Sequence, residues 1–135
     1  MLDPSSPIFE QTRMVEPGEI DDMNHVNNVV YVKWANDIAE QHWLQRAPKH
    51  LRETCDWVML KHCIEYKKSA VLGDKILVQT QVGRATNVRY ERFVVIKQAD
   101  TGVVLAQTTA DWCAVDKKGK PMGISRELRN IFEIA

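Results

Sequence analysis

Apolar residues along the chain follow two different periods, and the change between them divides it into elements. Ile8–Val15 is rich in β-branched and aromatic character and predicts a first strand, stopped by Pro17-Gly18. From Asn28 to about Arg46 the spacing turns helical. Val32, Ala35, Ala39 and Trp43 form one stripe, Tyr31, Ile38 and His42 widen it, and Lys33, Asn36, Asp37, Glu40 and Gln41 lie elsewhere. Trp34 falls off the main stripe, where it suits a subunit interface or an ordinary edge contact. Ala47-Pro48 ends the helix, and Pro48–Asp56 reads as a connection with room for a short helical turn.

Beyond that connection the period is that of strands. Trp57–Lys68 is one, Val71–Asp74 a turn, and Lys75–Arg84 another strand, with Ile76, Val78 and Val82 alternating against Leu77, Gln79 and Gln81. Asn87–Gln98 and Val103–Val115 are joined by Ala99-Asp100-Thr101-Gly102, a hairpin turn with glycine where a left-handed residue is wanted. Lys117–Pro121 is a second turn. Ser125 then caps a short helix to about Phe132, with Glu127 in its first turn. Met1–Pro7, rich in proline and serine, reads as a loose arm. One strand, one long helix and a run of antiparallel strands make an α+β domain, a sheet packed on one principal helix.

Composition narrows the classes. The 135 residues, 44% hydrophobic, suffice for a single domain with a single core. Eighteen Lys and Arg balance 18 Asp and Glu, so no overall field favours nucleic acid or a membrane surface. No apolar run approaches the roughly 20 residues of a spanning helix, and the acidic, proline-bearing start does not read as a signal peptide. Cys55, Cys63 and Cys113 are odd in number and lack C-x-x-C spacing, which fits reduced thiols in a cytoplasm.

The stretch from Glu19 to Tyr31 carries the candidate chemistry. Asp21, Asp22, Asn24, His25, Asn27 and Asn28 crowd into a short loop directly before the long helix. An acid/base group there stands beside unpaired backbone N–H groups and the positive end of a helix dipole, which hold developing negative charge. Asn27 or Asn28 also suits a helix cap. Capping needs one such residue, however, and leaves the histidine unexplained.

Asp21-Asp22-Met23-Asn24-His25-Val26-Asn27-Asn28, followed by Tyr31 and Trp34, resembles the D-x-M-x-H-V-N-N-x-x-Y signature of hotdog-fold acyl thioesterases. Within that superfamily it is most similar to the 4-hydroxybenzoyl-CoA thioesterase type and to acyl-carrier-protein thioesterases. Glu65-Tyr66-Lys67-Lys68 and Leu72-Gly73-Asp74 follow in the usual order. The resemblance implies a hotdog fold, an antiparallel sheet wrapped around one long central helix. It implies hydrolysis of an acyl thioester on CoA or a carrier protein, no cofactor or metal, and a homo-oligomer with sites at the dimer interface.

It also assigns roles. The backbone N–H of Asn28 matches the donor that polarises the thioester carbonyl. Asp21 matches the catalytic carboxylate, acting as general base on water or attacking the carbonyl directly to give a mixed anhydride; its plainer reading is a turn residue. His25 matches the histidine of the carrier-protein enzymes, against the plainer reading of a hydrogen-bonded structural residue. Asn27 would fix the loop by binding backbone groups beside the substrate, and Tyr31 would line the acyl pocket or simply pack in the core. Arg84, Arg89 and Arg92 flank the turn where the aromatic acyl-CoA branch carries its phosphate-binding cluster, and Arg suits phosphate by bidentate pairing.

The chain departs from the plant carrier-protein enzymes at Met23, where they carry Asn, and at Ser69 and Ala70, where they carry an acidic residue and a Cys. A papain-like or second-carboxylate scheme is therefore not implied, and the single-Asp scheme remains. Three further readings stand beside hydrolysis: a hotdog dehydratase or hydratase, a non-catalytic acyl-CoA-binding module, and a metal site on Asp21, Asp22 and His25, which lacks the additional His or Cys that ligation usually needs.

Overall fold

A computed structural model describes residues 2–134. In chain order the elements are β1 (Phe9–Met14), a 3-10 turn (Pro17–Glu19), α1 (Asn28–Arg46), α2 (Lys49–Thr54), β2 (Asp56–Tyr66), β3 (Lys75–Ala85), β4 (Arg89–Gln98), β5 (Val104–Val115) and α3 (Arg126–Glu133). The five strands form one antiparallel sheet in the order β1-β3-β4-β5-β2. Its two edges differ: β1 is six residues long, β2 eleven.

The sheet curls around α1, the helix expected over Asn28–Arg46. Tyr31, Trp34, Ala35, Ile38, Ala39 and His42 are its buried residues, the i, i+3, i+4, i+7 series of a helix with one face on a core. That stripe is rotated from the expected one, leaving Val32 and Trp43 half-buried. It also corrects the interface reading of Trp34, which is 1% exposed. The Trp34 indole N–H donates to Glu19 Oε2 at 3.0 Å, and the Arg13 guanidinium lies over its ring. Val78, Val94, Ile96, Leu105 and Ala106 close the core from the sheet side.

A second, smaller cluster joins Ala47, Leu51, Cys55, Ala114 and Leu128, fixing α2 and α3 against the end of β5. Ser125 Oγ accepts from Leu128 N at 3.1 Å, the expected cap of α3. The β4–β5 hairpin turns through Gly102 at φ 76°, as its position demanded.

The segment expected as a loose arm is tied down at Asp3. Gln81 Oε1 accepts from Asp3 N and Gln81 Nε2 donates to Asp3 O, a paired amide contact that buries Gln81. Met1, where that arm begins, lies outside the described residues. Among the described residues no helix is long and apolar enough to cross a membrane.

Candidate active site

The motif loop is a small hairpin. Asn27 N donates to Glu19 O, Ile20 pairs with Val26, and Asp21 N donates to His25 O at 2.7 Å. Asp22, Met23 and Asn24 make the tip, where Asn24 takes a left-handed φ of 62° that asparagine tolerates better than most residues. Val26 N donates to Ala70 O, so the loop is hung from the connection between β2 and β3. Asp21 therefore stands two ladder steps, roughly 7 Å, from the level at which the chain enters α1.

Asp21 is half-buried and its two oxygens are used differently. Oδ1 accepts from Met23 N at 2.9 Å and from His25 N at 3.1 Å, the turn role foreseen for it. Oδ2 has no hydrogen-bond partner among the described residues and is left for a ligand or water. Asp22 is exposed at the tip. His25 is half-buried; its backbone serves Asp21, and its imidazole makes no hydrogen bond among the described residues.

At the helix mouth Asn27 is the N-cap, its Oδ1 accepting from Val29 N at 3.0 Å while its carbonyl accepts from Val30 N. Of the first three amides of α1, only that of Asn28 lacks a partner among the described residues. The Asn28 carbonyl is held by the Tyr66 hydroxyl at 3.1 Å. Tyr31, one turn in, is buried, and its hydroxyl accepts from Ala70 N at 2.9 Å. Burial raises its pKa, against the Ala70 N–H that it accepts, and the negative charge of Asp74 adds to the rise. Tyr31 also meets Tyr66 and Trp34 edge to face.

Three bracing residues escaped the sequence reading. Glu19 binds Glu16 N and the Trp34 indole through its side chain and Asn27 N through its carbonyl. Ala70 serves both Val26 and Tyr31, and Tyr66 locks the helix start. Glu19 and Tyr66 stood inside the quoted motifs, but only pairing across distant segments gives them these tasks.

The arginines do not gather at this mouth within one chain. Arg84 and Arg89 are exposed at the β3–β4 turn, Arg89 at 3.9 Å from Asp111. Arg84 lies nine residues along β3 from Lys75, about 30 Å from the strand end nearest the motif loop. Arg92 points inward and is 6% exposed, so it is not a surface phosphate ligand. Of the thiols, Cys55 and Cys113 are buried and Cys63 exposed. Burial, then the neighbouring Asp56 charge, pushes Cys55 up to about 11, the opposite of an activated nucleophile.

Residues 15–132 match the thioesterase-like superfamily. The chain belongs to that superfamily. A 1,4-dihydroxy-2-naphthoyl-CoA thioesterase from Synechocystis superposes with a TM-score of 0.80 at 15% identity, over 93% of this chain and 95% of that one. The probable thioesterase YbaW from Escherichia coli gives 0.79 at 21% identity, over 90% and 94%. A 12:0-ACP thioesterase from Umbellularia californica gives 0.77 at 14% identity, over 91% of this chain and 48% of that one. No curated protein matches the sequence at a significant level. The fold is thus the hotdog fold of thioesterases, and acyl thioester hydrolysis is the activity that superfamily membership carries.

Proposed function

We propose that this thioesterase hydrolyses an acyl-CoA with Asp21 as general base and the Asn28 N–H as oxyanion donor. One observation carries the reading: among the described residues, only the Asn28 amide of the first three in a 19-residue helix lacks a partner, and it adjoins the hairpin of a carboxylate whose Oδ2 also lacks one. Asp21 takes a proton from water through Oδ2. The water oxygen adds to the thioester carbon, and the negative charge that forms on the carbonyl oxygen meets Asn28 N–H and the positive end of α1. Collapse breaks the C–S bond and releases the thiolate, which is protonated to the free thiol. Such an amide is typically worth on the order of 3 kcal/mol in the transition state. Asn27 and Tyr31 keep the mouth in shape, and His25 fixes Asp21 through its backbone.

The working unit in this reading is a homodimer. Met23, Val29, Leu72 and Tyr66 are exposed around the mouth, and Val58 and Leu60 along the free edge of β2. A long apolar edge with unpaired backbone groups is a surface that a second copy covers. Arg84 and Arg89, too far from the mouth of their own chain, are then available to the phosphates of a CoA bound at the other. The Synechocystis enzyme acts on a CoA thioester and the Umbellularia enzyme on a carrier-protein one; two exposed arginines with little else to hold favour CoA here.

The test is free-thiol release from a panel of short, long and aromatic acyl-CoAs and one acyl-carrier protein. Asp21→Asn should lose at least about a hundredfold in kcat with an unchanged circular-dichroism spectrum. Undiminished release from that variant removes the assigned base, and no release from any acyl-CoA removes the substrate class.

A further inference from the structure

The peptides on either side of the Asn28 N–H are pinned by two distant parts of the chain. Before it, Asn27 N donates to Glu19 O at 2.9 Å. After it, the Asn28 carbonyl accepts from the Tyr66 hydroxyl at 3.1 Å. Tyr66 is the last residue of β2, 38 positions further along the chain. Only the backbone dihedrals of Asn27 and Asn28 lie between the two pins. The next amides are fixed as well, Val29 N on Asn27 Oδ1 at 3.0 Å and Val30 N on Asn27 O at 2.9 Å.

Neither partner needs the Tyr66–Asn28 bond for its own sake. The orphan groups at a helix start are N–H groups, and the carbonyl of the first helical residue already serves the N–H four residues on. Tyr66 is 43% exposed, so water is available to its hydroxyl. The hydroxyl is nonetheless held on a fixed support. The Tyr66 ring meets Tyr31 edge to face at 5.6 Å, and Tyr31 is itself braced by Trp34 and by the Ala70 N–H on its hydroxyl. What the bond adds is a set direction for the first turn of α1, and the one amide of that turn left free points wherever the turn points.

We propose that Tyr66 is a positioning residue of this thioesterase: its hydroxyl, acting through the Asn28 carbonyl, aims the Asn28 N–H at the place where the oxyanion forms. This role rests on the oxyanion assignment of the Asn28 N–H made above. A donor aimed at a charge that exists only in the transition state lowers the barrier without tightening substrate binding, so losing its aim lowers kcat and spares KM. A brace that served stability alone would change unfolding and leave both constants in place.

The experiment is a double-mutant cycle on thiol release from benzoyl-CoA and lauroyl-CoA. Tyr66→Phe keeps the ring on Tyr31 and loses the hydroxyl; kcat should fall about tenfold and KM should stay within about twofold. Asn28→Pro deletes the N–H itself. Proline is favoured at the first helical position, and Asn27, at φ −59° and ψ 136°, already has the extended backbone that precedes a proline. Its reference is Asn28→Ala, which loses the same side chain and keeps the N–H. Asn28→Pro should lie at least about a hundredfold below that reference in kcat. Adding Tyr66→Phe to Asn28→Pro should cost nothing further, because the group it aims is gone. A second full loss in that background, or full kcat in Tyr66→Phe beside an impaired Asn28→Pro, overturns the inference and leaves the oxyanion assignment standing. Asn28→Pro equal to Asn28→Ala overturns both. Nitrogen–proton correlation spectra give a readout that needs neither turnover nor the proline variant. The Asn28 cross-peak should be displaced or broadened in Tyr66→Phe, and an unmoved cross-peak overturns the inference.

Discussion

His42 offers the sharpest quantitative test of how this core is built. It is 1% exposed, stacked on Phe9 at 4.8 Å, and its Nδ1 meets Arg92 Nη1 at 3.0 Å. A guanidinium can only donate, so Nδ1 is an unprotonated acceptor and the ring is neutral. Burial, then the charges of Arg92 and Arg46, lowers its pKa from 6.5 to about 3. The sign follows directly. The unfolded chain takes up the proton near pH 6.5 and the folded chain does not until about pH 3, so acid favours the unfolded state. Stability is complete above pH 6.5 and is lost progressively towards pH 3. At pH 5 the loss from this residue is about 2 kcal/mol, because the unfolded imidazole is then some thirtyfold protonated over neutral. The assay is urea unfolding at pH 7 and pH 5 of the unaltered protein and of His42→Asn, which keeps an acceptor for Arg92. Titration of groups common to both cancels in the comparison. The unaltered protein should lose about 2 kcal/mol more than the variant between the two pH values. Equal losses, or a His42 resonance that titrates near pH 6.5 in the folded protein, would refute the reasoning.

Three further perturbations probe the mouth and the hairpin. Tyr31→Phe leaves Ala70 N–H buried without an acceptor and should cost about 1–3 kcal/mol in urea unfolding. Asn27→Ala removes the cap on Val29 N and should cost about 1 kcal/mol; thiol release should fall further than stability if the cap also positions the Asn28 amide. Gly102→Ala meets nothing within 4 Å, so any loss measures backbone strain at φ 76° alone, roughly 1–2 kcal/mol by thermal unfolding.

Local signals located nearly every element. Proline, glycine and the change from period two to period 3.6 are read within a few residues, and α1, the Gly102 turn and the Ser125 cap stand where those signals place them. What failed depended on distant partners. Trp34 was set off the stripe because one residue is worth 100° of helix, and only the Glu19 carboxylate and Arg13 decide that it turns inward. Gln81 read as an outward position of an alternating strand, yet Asp3, 78 residues away, folds over it and supplies both hydrogen bonds its amide needs.

The motif loop and the aromatic cavity around Trp57 and Phe132 differ in the same way. Six motif residues were visible because the loop lies in one short stretch, and a hairpin closing on its own helix keeps sequence neighbours together in space. The aromatic cavity draws its walls from α1, β2, β4, β5 and α3, with Phe132 lying 89 residues after Trp43, so no window of sequence contains it. Arg92 shows the consequence. On the chain it was one of three arginines flanking a turn, and strand alternation alone could send it either way. Pairing with Ala110 on β5 and Val82 on β3 sets it on the face that α1 covers, in line with Tyr90 and Val94. Its neighbours Arg84 and Arg89 stay outside, where a phosphate could meet them. A charge that burial penalises has been kept where an apolar residue would pack at no such cost, held by His42 Nδ1, Thr80 Oγ1 and the face of the Phe132 ring.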